Sequence, residues 1–408
     1  MTQALEGLRV IDLTQVLSGP LCTMMLGDAG ADIVKVEPPG GDSSRAWGPP
    51  FLGTEGAEFI AVNRNKRSIV LDLKTPEGRG VLLDLCRTAD VFIENYRRGV
   101  TERLGIDYET LSAINPRLIY CSISGFGTTG PRRDEPAYDS VMQAFVGIMH
   151  MTGSPGGPPA RASVSICDIG AGMYANQAIL LALAARERTG RGQRVEASMF
   201  EAQIAWLLFR AVGYFATGKP PSGRLGTASA HLSPYEAYPT ADGHIMIAAL
   251  NDRLFERLVT AMELPELCTD PRYAHNGDRV LNRAALNATL GARFQMRTMD
   301  EWVATIANAG VPCSKINTIE DVLHDPQTAA RDMIMEFDHP VIGPIKVPGI
   351  PIKFSDTPNS FRLPPPVLGQ HQDEILAGLG LSAEAIDALR AKGAFGKPGS
   401  DAGGQRGH

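Results

Sequence analysis

The stretch LRVIDLTQVLSGPLCTMMLGDAGADIVKVE, residues 8–37, decides the fold class of this chain. Leu8–Leu13 and Asp32–Glu37 are apolar, strand-like segments. Ser18-Gly-Pro20 between them is typical of a helix start, and it predicts a helix through Leu26. This strand–helix–strand unit predicts an α/β protein with a parallel, doubly wound sheet, whose ligands bind at the carboxyl ends of the strands.

The same type of unit continues towards the middle of the chain. Strands are predicted within Asn63–Lys74, at Val91–Glu94 and at Leu118–Ser124. Helices are predicted from Thr75 to about Arg87 and from Tyr138 through His150. The first unit carries no G-x-G-x-x-G fingerprint, so it gives no support to dinucleotide binding.

The pattern changes after about residue 200. Residues 201–226, in a region rich in Gly, Ser, Ala and Pro, are predicted to be a linker or an active-site loop. Residues 227–330 contain a strand-like segment, Asp242–Leu250, followed by helical patterns, which predicts a smaller α+β domain. Strand-like segments return from about Met333, and residues 396–408 are predicted to be a flexible tail.

Composition excludes several classes of protein. Of the 408 residues, 44% are hydrophobic and 21% are charged, as expected of a globular chain with two or three domains. The net charge of −6 argues against a nucleic-acid or anionic-membrane partner, and neither a signal peptide nor an apolar run of membrane-spanning length is present. Six scattered cysteines without a Cys-x-x-Cys pair predict a reducing, cytoplasmic location and no zinc site.

The candidate catalytic residue lies in Arg161-Ala-Ser-Val-Ser-Ile-Cys-Asp168-Ile-Gly-Ala-Gly-Met173. An apolar, strand-like segment runs into Asp168, and a long apolar helix follows. Asp168 is therefore predicted at the N-cap or in the first turn, where free N–H groups and the helix dipole stabilise a carboxylate. Gly170 and Gly172 are predicted to leave room for a ligand. The alternative interpretation is that Asp168 only caps the helix.

Basic residues recur after the predicted strands. They are Arg64, Lys66, Arg67, Lys74, Arg97, Arg98 and Arg103, with Arg45 in the loop after the second strand. Such residues are either a solvated face or a binding site for a phosphate-rich ligand. Their position at strand ends favours the phosphate interpretation.

A set of short motifs makes the chain resemble the class III CoA-transferases. This CaiB/BaiF family includes formyl-CoA transferase, carnitine-CoA-transferase and the α-methylacyl-CoA racemases. The motifs are Gly19-Pro20, Asn65–Lys74, Glu94-Asn95, Ser124-Gly-Phe-Gly127, Asp168-Ile-Gly-Ala-Gly172, Thr189-Gly-Arg-Gly-Gln193, Gly310-Val-Pro-Cys313 and Leu368-Gly-Gln-His371. Each motif is weak alone, but their order and spacing are specific, and the resemblance extends from about Leu8 to Leu389.

The resemblance implies a particular architecture. Residues 1–200 and 331–395 are expected to form a large Rossmann-like, CoA-binding domain, with the smaller α+β domain between them. Two protomers are expected to form an interlocked homodimer, in which each chain threads through a ring made by the other.

The resemblance also implies the chemistry. Asp168 is expected to be the nucleophile of a CoA-transferase, which carries CoA through an aspartyl-CoA thioester to a small carboxylic or dicarboxylic acid. Succinyl-CoA is the default donor, and no metal is expected. Because an ordinary carboxylate is ionised at pH 7, Asp168 is expected to need no general base.

The family's CoA contacts are carried over residue by residue. They fall on Leu17, Ser18, Leu71, Lys74, Asn95, Tyr96, Arg97 and Arg103, and Tyr138 and Asp139 are expected to line the active site. Thr227–His231 stands where formyl-CoA transferase has a run of glycines, which argues against formyl or oxalate specificity. Pro38 stands where that enzyme has an arginine near the adenine. Arg224 and His231 are candidates for holding a second carboxylate, or they are loop surface.

Two alternatives remain open from the sequence. One is an α-methylacyl-CoA racemase, in which a histidine–aspartate pair acts as base; here Tyr138 replaces the histidine, and a tyrosine with a pKa of about 10 is a poor base. The other is a protein that binds acyl-CoA without catalysis. Asp168 argues against the second alternative, because a protein without the reaction has little need of that carboxylate.

Overall fold

The computed structural model describes residues 2–221 and 223–396, which divide into two compact units. The first unit contains the residues up to Val146, Ser163–Leu208 and the residues from Ala329 onward; the second contains Gly147–Ala162 and Phe209–Thr328. The boundaries therefore differ from those expected from the sequence. Residues 147–162, which interrupt the first unit, belong to the second.

Thirteen strands occur in the described part of the chain. They are β1 Arg9–Asp12, β2 Asp32–Glu37, β3 Phe51–Leu52, β4 Glu55–Gly56, β5 Lys66–Val70, β6 Val91–Glu94, β7 Ile119–Ser124, β8 Arg194–Ser198, β9 Tyr235–Pro239, β10 His244–Ala248, β11 Cys313–Lys315, β12 Ile334–His339 and β13 Gly343–Pro348.

Eighteen α-helices accompany them in the same residues, together with two short 3-10 turns, Ser43–Ala46 and Pro265–Cys268. The helices are α1 Ser18–Asp28, α2 Ala57–Val62, α3 Pro76–Arg87, α4 Val100–Leu104, α5 Tyr108–Ile114, α6 Asp139–Phe145, α7 Ile148–Met151, α8 Ile166–Thr189, α9 Met199–Trp206, α10 Leu208–Thr217, α11 Asp252–Ala261, α12 Asn276–Leu281, α13 Arg283–Phe294, α14 Met299–Asn308, α15 Ile319–Leu323, α16 Pro326–Ala330, α17 Gln372–Gly378 and α18 Ala383–Ala391.

A six-stranded parallel sheet organises the first unit. Its strand order is β5-β2-β1-β6-β7-β8, so the chain starts in the middle of the sheet and builds outwards in both directions. The predicted α/β class with a parallel sheet is confirmed. The segments after β1 and β6 leave the same edge of the sheet because neighbouring parallel strands run in the same direction.

The core on one side of this sheet joins distant parts of the sequence. Strand residues such as Ile11 and Phe92 pack against α3, and Ile375, Leu376 and Ile386 from α17 and α18 enter the same cluster. The C-terminal helices are therefore part of the first unit because they complete its apolar core.

The second unit has a core of its own. Strands β9, β10 and β11 form an antiparallel sheet, and the helices α11, α13 and α14 contribute apolar side chains to the same cluster. Trp302 is fully buried, and its indole N–H donates to the carbonyl of Phe294 at 2.7 Å. Residues 227–330 thus contain both an antiparallel sheet and helices.

Residues 147–162 join the second unit through contacts with the segment after residue 222. The backbone N–H of Gly226 donates to the carbonyl of Gly153 at 2.9 Å, and the guanidinium of Arg224 donates to the carbonyl of His150 at 3.2 Å. These contacts are made between residues far apart in sequence, so no local pattern indicated them.

Some predicted elements were wrong. Residues 201–226 are not a plain linker, because α9 and α10 cover most of them. The helix predicted from Tyr138 to His150 is broken at Gly147, whose φ of 82° is left-handed and separates α6 from α7. The strand-like segment before Asp168 forms no strand. The predicted tail, apart from Gly396, lies outside the described residues.

Buried ion pairs account for most of the basic residues near the sheet. Lys66 pairs with Asp12 at 3.1 Å and Lys35 pairs with Asp42 at 2.9 Å, and all four side chains are fully buried. Other buried or half-buried pairs are Arg64–Asp28, Arg67–Asp32 and Arg45–Glu37. The hypothesis that Arg45, Arg64, Lys66 and Arg67 face a phosphate is therefore wrong, since each is held by a carboxylate.

The Asp12 carboxylate is the centre of this network. One oxygen accepts from the backbone N–H and hydroxyl of Thr14, and the other accepts from Thr23 and Lys66. Burial opposes its ionisation, but Lys66, Lys35 and the hydroxyls of Thr14 and Thr23 together outweigh burial and lower the pKa of Asp12 to about 2. Four donors thus compensate the desolvation of a buried charge.

We expect Asp12→Ala to reduce the free energy of unfolding by about 3–5 kcal/mol, because it leaves a buried lysine without its counter-charge. Urea denaturation at pH 7 measures the change. Asp84→Ala is the control, since Asp84 forms an exposed pair with Arg87, and such a pair contributes at most about 1 kcal/mol. Equal effects of the two substitutions would contradict this account of the network.

Candidate active site

The helix α8 carries the candidate nucleophile. It begins at Ile166 and runs 24 residues to Thr189, where Gly190 adopts a left-handed conformation and ends it. The helix is long and apolar enough to cross a membrane, but a helix in the core of a globular protein can have the same length and composition. Here it packs against α1, α9, β7 and β8 of the first unit.

Asp168 is the third residue of α8, so the predicted first-turn position is confirmed. The helix start is capped by a different residue. Asp139, the first residue of α6, accepts the backbone N–H of Cys167 at 2.8 Å, and Gln143 donates to its other oxygen at 2.7 Å. In the described residues no backbone N–H of α8 donates to Asp168. Its carboxyl group is therefore not used as a cap.

The environment of Asp168 disfavours its ionised form. Burial contributes most, the negative charge of Asp139 adds to it, and together they raise the pKa of Asp168 to about 7. A hydrogen bond from the Ser18 side chain acts in the opposite direction. The expectation of an always-ionised carboxylate is therefore wrong. Near neutral pH the group exists in both forms, as is common for catalytic carboxyls.

Gly170 and Gly172 allow close helix packing. A Cβ at Gly172 would lie 2.4 Å from the backbone oxygen of Ser18, and one at Gly170 would lie 2.9 Å from the amide nitrogen of Gln203. The hypothesis that these glycines make room for a ligand is wrong, because α1 and α9 already occupy the space. The glycines instead allow α1 to approach α8 closely enough for Ser18 to reach Asp168.

Gln203 of α9 completes the surroundings of this helix start. Its side chain is fully buried and donates to the carbonyl of Ile166 at 3.2 Å. Sequence reasoning missed Gln203, and it missed the capping role of Asp139. A usable signal existed for Asp139, because Asp139 and Gln143 stand four residues apart on one helix face. Nothing local indicated Gln203.

The residues expected to contact CoA fall into two groups. Lys74, Arg97 and Arg103 are exposed, follow strands β5 and β6, and form no ion pair within residues 2–221 and 223–396. They remain available to an anionic ligand. Arg98, in contrast, pairs with Asp134 at 3.2 Å.

The side chains of the other candidates are largely committed to the protein. Leu71 is 1% exposed and belongs to the core. Burial raises the pKa of Tyr96 to about 12, and its ring packs on the same core. Asn95 uses both ends of its amide on the backbone of Gln15. Leu17 and Ser18 lie at the start of α1.

Tyr138 and Asp139, expected to line the site, differ in exposure. Asp139 is 7% exposed, whereas Tyr138 is 60% exposed at the N-cap of α6. The acidic partner of α8 is therefore the buried Asp139. Pro38 lies in the turn after β2, where its carbonyl accepts from Gly41.

The Thr227–His231 segment is held within the second unit. The hydroxyl of Thr227 accepts from Ala237 at 2.9 Å, and Asn276 donates to the carbonyl of His231 at 2.8 Å. The side chain of His231 is exposed, whereas Arg224 is tied to His150. Of the two candidates for a second carboxylate, His231 is thus the more accessible.

Comparison with known proteins identifies the family of this chain. Residues 5–372 match the sequence model of CoA-transferase family III, and the chain belongs to that family. It is an enzyme of the class III CoA-transferase type. No group of three or more potential metal ligands occurs among the residues that the structure describes.

Two named relatives and one solved structure illustrate the similarity. The chain is 41% identical to human succinyl-CoA:glutarate CoA-transferase, over 91% of this chain and 85% of that protein. It is 44% identical to acetyl-CoA:oxalate CoA-transferase of Acetobacter aceti, over 86% and 89% of the two chains. A CaiB/BaiF family protein from Brucella suis superposes with a TM-score of 0.84 at 42% identity, over 93% of this chain and all of that one.

We expect Asp139→Asn to lower the pKa of Asp168 below 7, because the substitution removes the adjacent negative charge and keeps an oxygen for the Cys167 N–H. Carbon-13 NMR of carboxyl-labelled aspartate, with Asp168 assigned through Asp168→Asn, measures the titration. Glu135→Gln removes an exposed charge from the preceding segment and should change nothing. An upward shift in Asp139→Asn would contradict the assigned cause.

Proposed function

We propose that this enzyme transfers CoA from succinyl-CoA to a dicarboxylic acid through a covalent intermediate on Asp168. The observation that carries the proposal is a half-buried carboxyl in the first turn of α8, with a raised pKa and no capping role. The names of the two relatives, which pair an acyl-CoA with glutarate or with oxalate, support the substrate class.

Each step of the proposed reaction is an acyl transfer. The ionised Asp168 attacks the thioester carbonyl of the donor, which gives a mixed anhydride and CoA thiolate. The thiolate then attacks the Asp168 carbonyl, which releases the donor acid and leaves an aspartyl-CoA thioester. The acceptor carboxylate attacks that thioester, and the returning thiolate attacks the acceptor acyl group. New acyl-CoA leaves, and Asp168 is regenerated.

The properties of Asp168 suit both the formation and the breakdown of the covalent intermediate. A raised pKa makes a carboxylate more basic, and therefore a better nucleophile once it is ionised. The positive end of the α8 dipole favours the negative charge that develops on the attacked carbonyl oxygen. Asp139 binds the Cys167 N–H and so neutralises part of the positive charge at the start of α8. It affects the pKa of Asp168 but forms no covalent bond with the substrate.

For the CoA moiety we propose Lys74, Arg97 and Arg103 as phosphate contacts. The three are exposed cations at the carboxyl edge of the parallel sheet, where ligands of such sheets bind, and the described residues offer them no ion-pair partner. Leu17, Ser18, Leu71, Asn95 and Tyr96 would contribute through backbone atoms or packing, since their side chains are largely occupied. The cytoplasmic location stays a prediction, supported by the six free thiols.

We expect brief incubation with succinyl-CoA to add the mass of CoA less one water to the wild-type protein. The adduct should be labile to hydroxylamine, because it is a thioester, and absent from Asp168→Ala and Asp168→Asn. Intact-protein mass spectrometry makes the measurement.

Asp134→Ala serves as the matched control, since Asp134 is an exposed aspartate and the variant should still form the adduct. An adduct that persists in both Asp168 variants would overturn the assigned nucleophile. Parallel acceptor assays with glutarate and oxalate then decide between the two acids named for the relatives.

We further propose that two chains form the interlocked homodimer expected from the resemblance. The support is an apolar face on α8, where Met173, Tyr174, Leu180 and Leu181 are exposed on one side of the helix. Val141 and Phe145 of α6 and Ile204 of α9 are also exposed, and both of these helices pack against α8. Exposed apolar surface of this extent is typical of an interface.

We expect Leu181→Glu to shift the protein from dimer towards monomer, because it places a charge on that face, where Leu181 is 64% exposed. Light scattering after gel filtration gives the mass. Leu281→Glu is the control, since Leu281 is 86% exposed at the end of α12 in the second unit. A wild-type protein that is monomeric at micromolar concentration would refute the dimer.

A further inference from the structure

The segment Thr14–Ser18, between β1 and α1, has a strained backbone. Val16 has a φ of 71°, which lies in the left-handed region. A β-branched residue is rarely found there, because its side chain clashes with its own backbone. Such strain persists only where the surroundings fix the conformation, and it is concentrated at functional sites.

Every residue in the first part of this segment is fixed by a side chain from another element or from β1. The Thr14 carbonyl accepts from Lys35 at 2.9 Å, and the Thr14 N–H donates to Asp12. The Val16 N–H, next to the strained φ, donates to Asp42 at 3.2 Å. The buried ion pairs therefore hold the backbone of this segment as well as the sheet.

Asn95 makes the most specific of these contacts. Its amide oxygen accepts the Gln15 N–H at 3.0 Å, and its amide nitrogen donates to the Gln15 carbonyl at 2.9 Å. This two-bond pairing fixes both the position and the direction of the peptide chain. Asn95 directly follows β6, and it hydrogen-bonds to the segment that follows the neighbouring strand β1.

The fixed segment positions Ser18 next to Asp168. Ser18 is the first residue of α1 and is buried, and its carbonyl lies against Gly172 of α8. Gly172 lies one helical turn after Asp168 on the same face of α8, so this contact places Ser18 beside Asp168, and the Ser18 side chain lowers the pKa of that carboxyl group. Among the described residues, the titratable groups that face Asp168 are Asp139 of α6 and the thiol of Cys167. Ser18 is thus the neighbour that favours the ionised form.

We propose that Asn95 and Asp42 are positioning residues for the nucleophile, which act through the strained Thr14–Ser18 segment to hold Ser18 beside the Asp168 carboxyl group. The proposal rests on the proposed function, in which Asp168 is the nucleophile. It assigns Asn95 a role different from the CoA contact that the resemblance implies.

The two roles of Asn95 predict different kinetics. A residue that only contacts CoA changes KM for the acyl-CoA and leaves the titration of Asp168 unchanged. A positioning residue lowers kcat and disturbs that titration, because the Ser18 hydroxyl drifts away from the carboxylate. Since a hydrogen bond to the ionised form lowers a carboxyl pKa, its loss raises that pKa.

The test is the carbon-13 titration of Asp168 in Asn95→Ala and Ser18→Ala, together with kcat and KM for succinyl-CoA and glutarate. We expect the pKa of Asp168 to rise by roughly one unit in Ser18→Ala. It should also rise in Asn95→Ala, with a kcat roughly tenfold lower and an unchanged KM. The Asp139→Asn substitution is expected to shift the pKa of Asp168 in the opposite direction, downwards.

Asn115→Ala is the matched control. Asn115 also binds backbone groups, donating to the carbonyls of Cys86 and Ala89 at 3.0 and 2.8 Å, but it precedes β7 at the opposite edge of the sheet. It should lower stability without moving the titration of Asp168. Asn95→Ser, which retains one hydrogen-bonding group, is the milder variant if Asn95→Ala folds poorly, and its shift should have the same sign.

An Asn95 variant with a normal Asp168 titration and only a raised KM would overturn the proposal and restore the CoA-contact role. The titration needs no turnover, so it separates the two proposals. If the wild-type enzyme forms no aspartyl adduct but the titration shifts as expected, the covalent route is wrong, and only the coupling of Asn95 to the Asp168 carboxyl group is retained.

Discussion

The buried ion pairs of the first unit are the constraint on which the rest depends. Removing Asp12, Lys66, Lys35 and Asp42 from water is costly, and the cost is offset only because nearly every charge has several hydrogen-bond partners. Those partners lie in β1, β2, β5 and the backbone around α1. The network therefore ties the middle of the sheet to the segment that reaches the active site, and neither can shift without leaving a charge unpaired.

Around Asp168 two opposing effects set the chemistry. Burial and the Asp139 charge disfavour ionisation, whereas the Ser18 hydroxyl favours it, and the first two outweigh the third. Because the pKa of this carboxyl group lies near neutral pH, the group is only partly ionised there. Asp139 also takes over the capping of α8, which leaves Asp168 free of the structural duty that aspartates in this position usually have.

Elements with strong local patterns were predicted correctly. The strands at Val91–Glu94 and Asp32–Glu37 agree to the residue, and the helix from Ser18 was placed correctly, because continuous apolar runs and a Gly-Pro start are local signals. The break at Gly147 and the helices in residues 201–226 were missed, since a glycine can be tolerated in a helix and a Gly-rich composition resembles a loop. Lys66 and Arg67 were mistaken for ligand contacts because a sequence does not show which carboxylate lies opposite.

The sequence by itself determined the α/β class, the parallel sheet, the family and the first-turn position of Asp168, because each of these is carried by local periodicity or by ordered motifs. Only the tertiary structure decided what surrounds Asp168. Asp139 caps Cys167, which lies 28 residues later in the chain, and Ser18 acts on Asp168 across 150 residues. Asn95 binds Gln15 across 80 residues. A pKa depends on burial and on charges in space, so the reactivity of this carboxyl is a property of the fold.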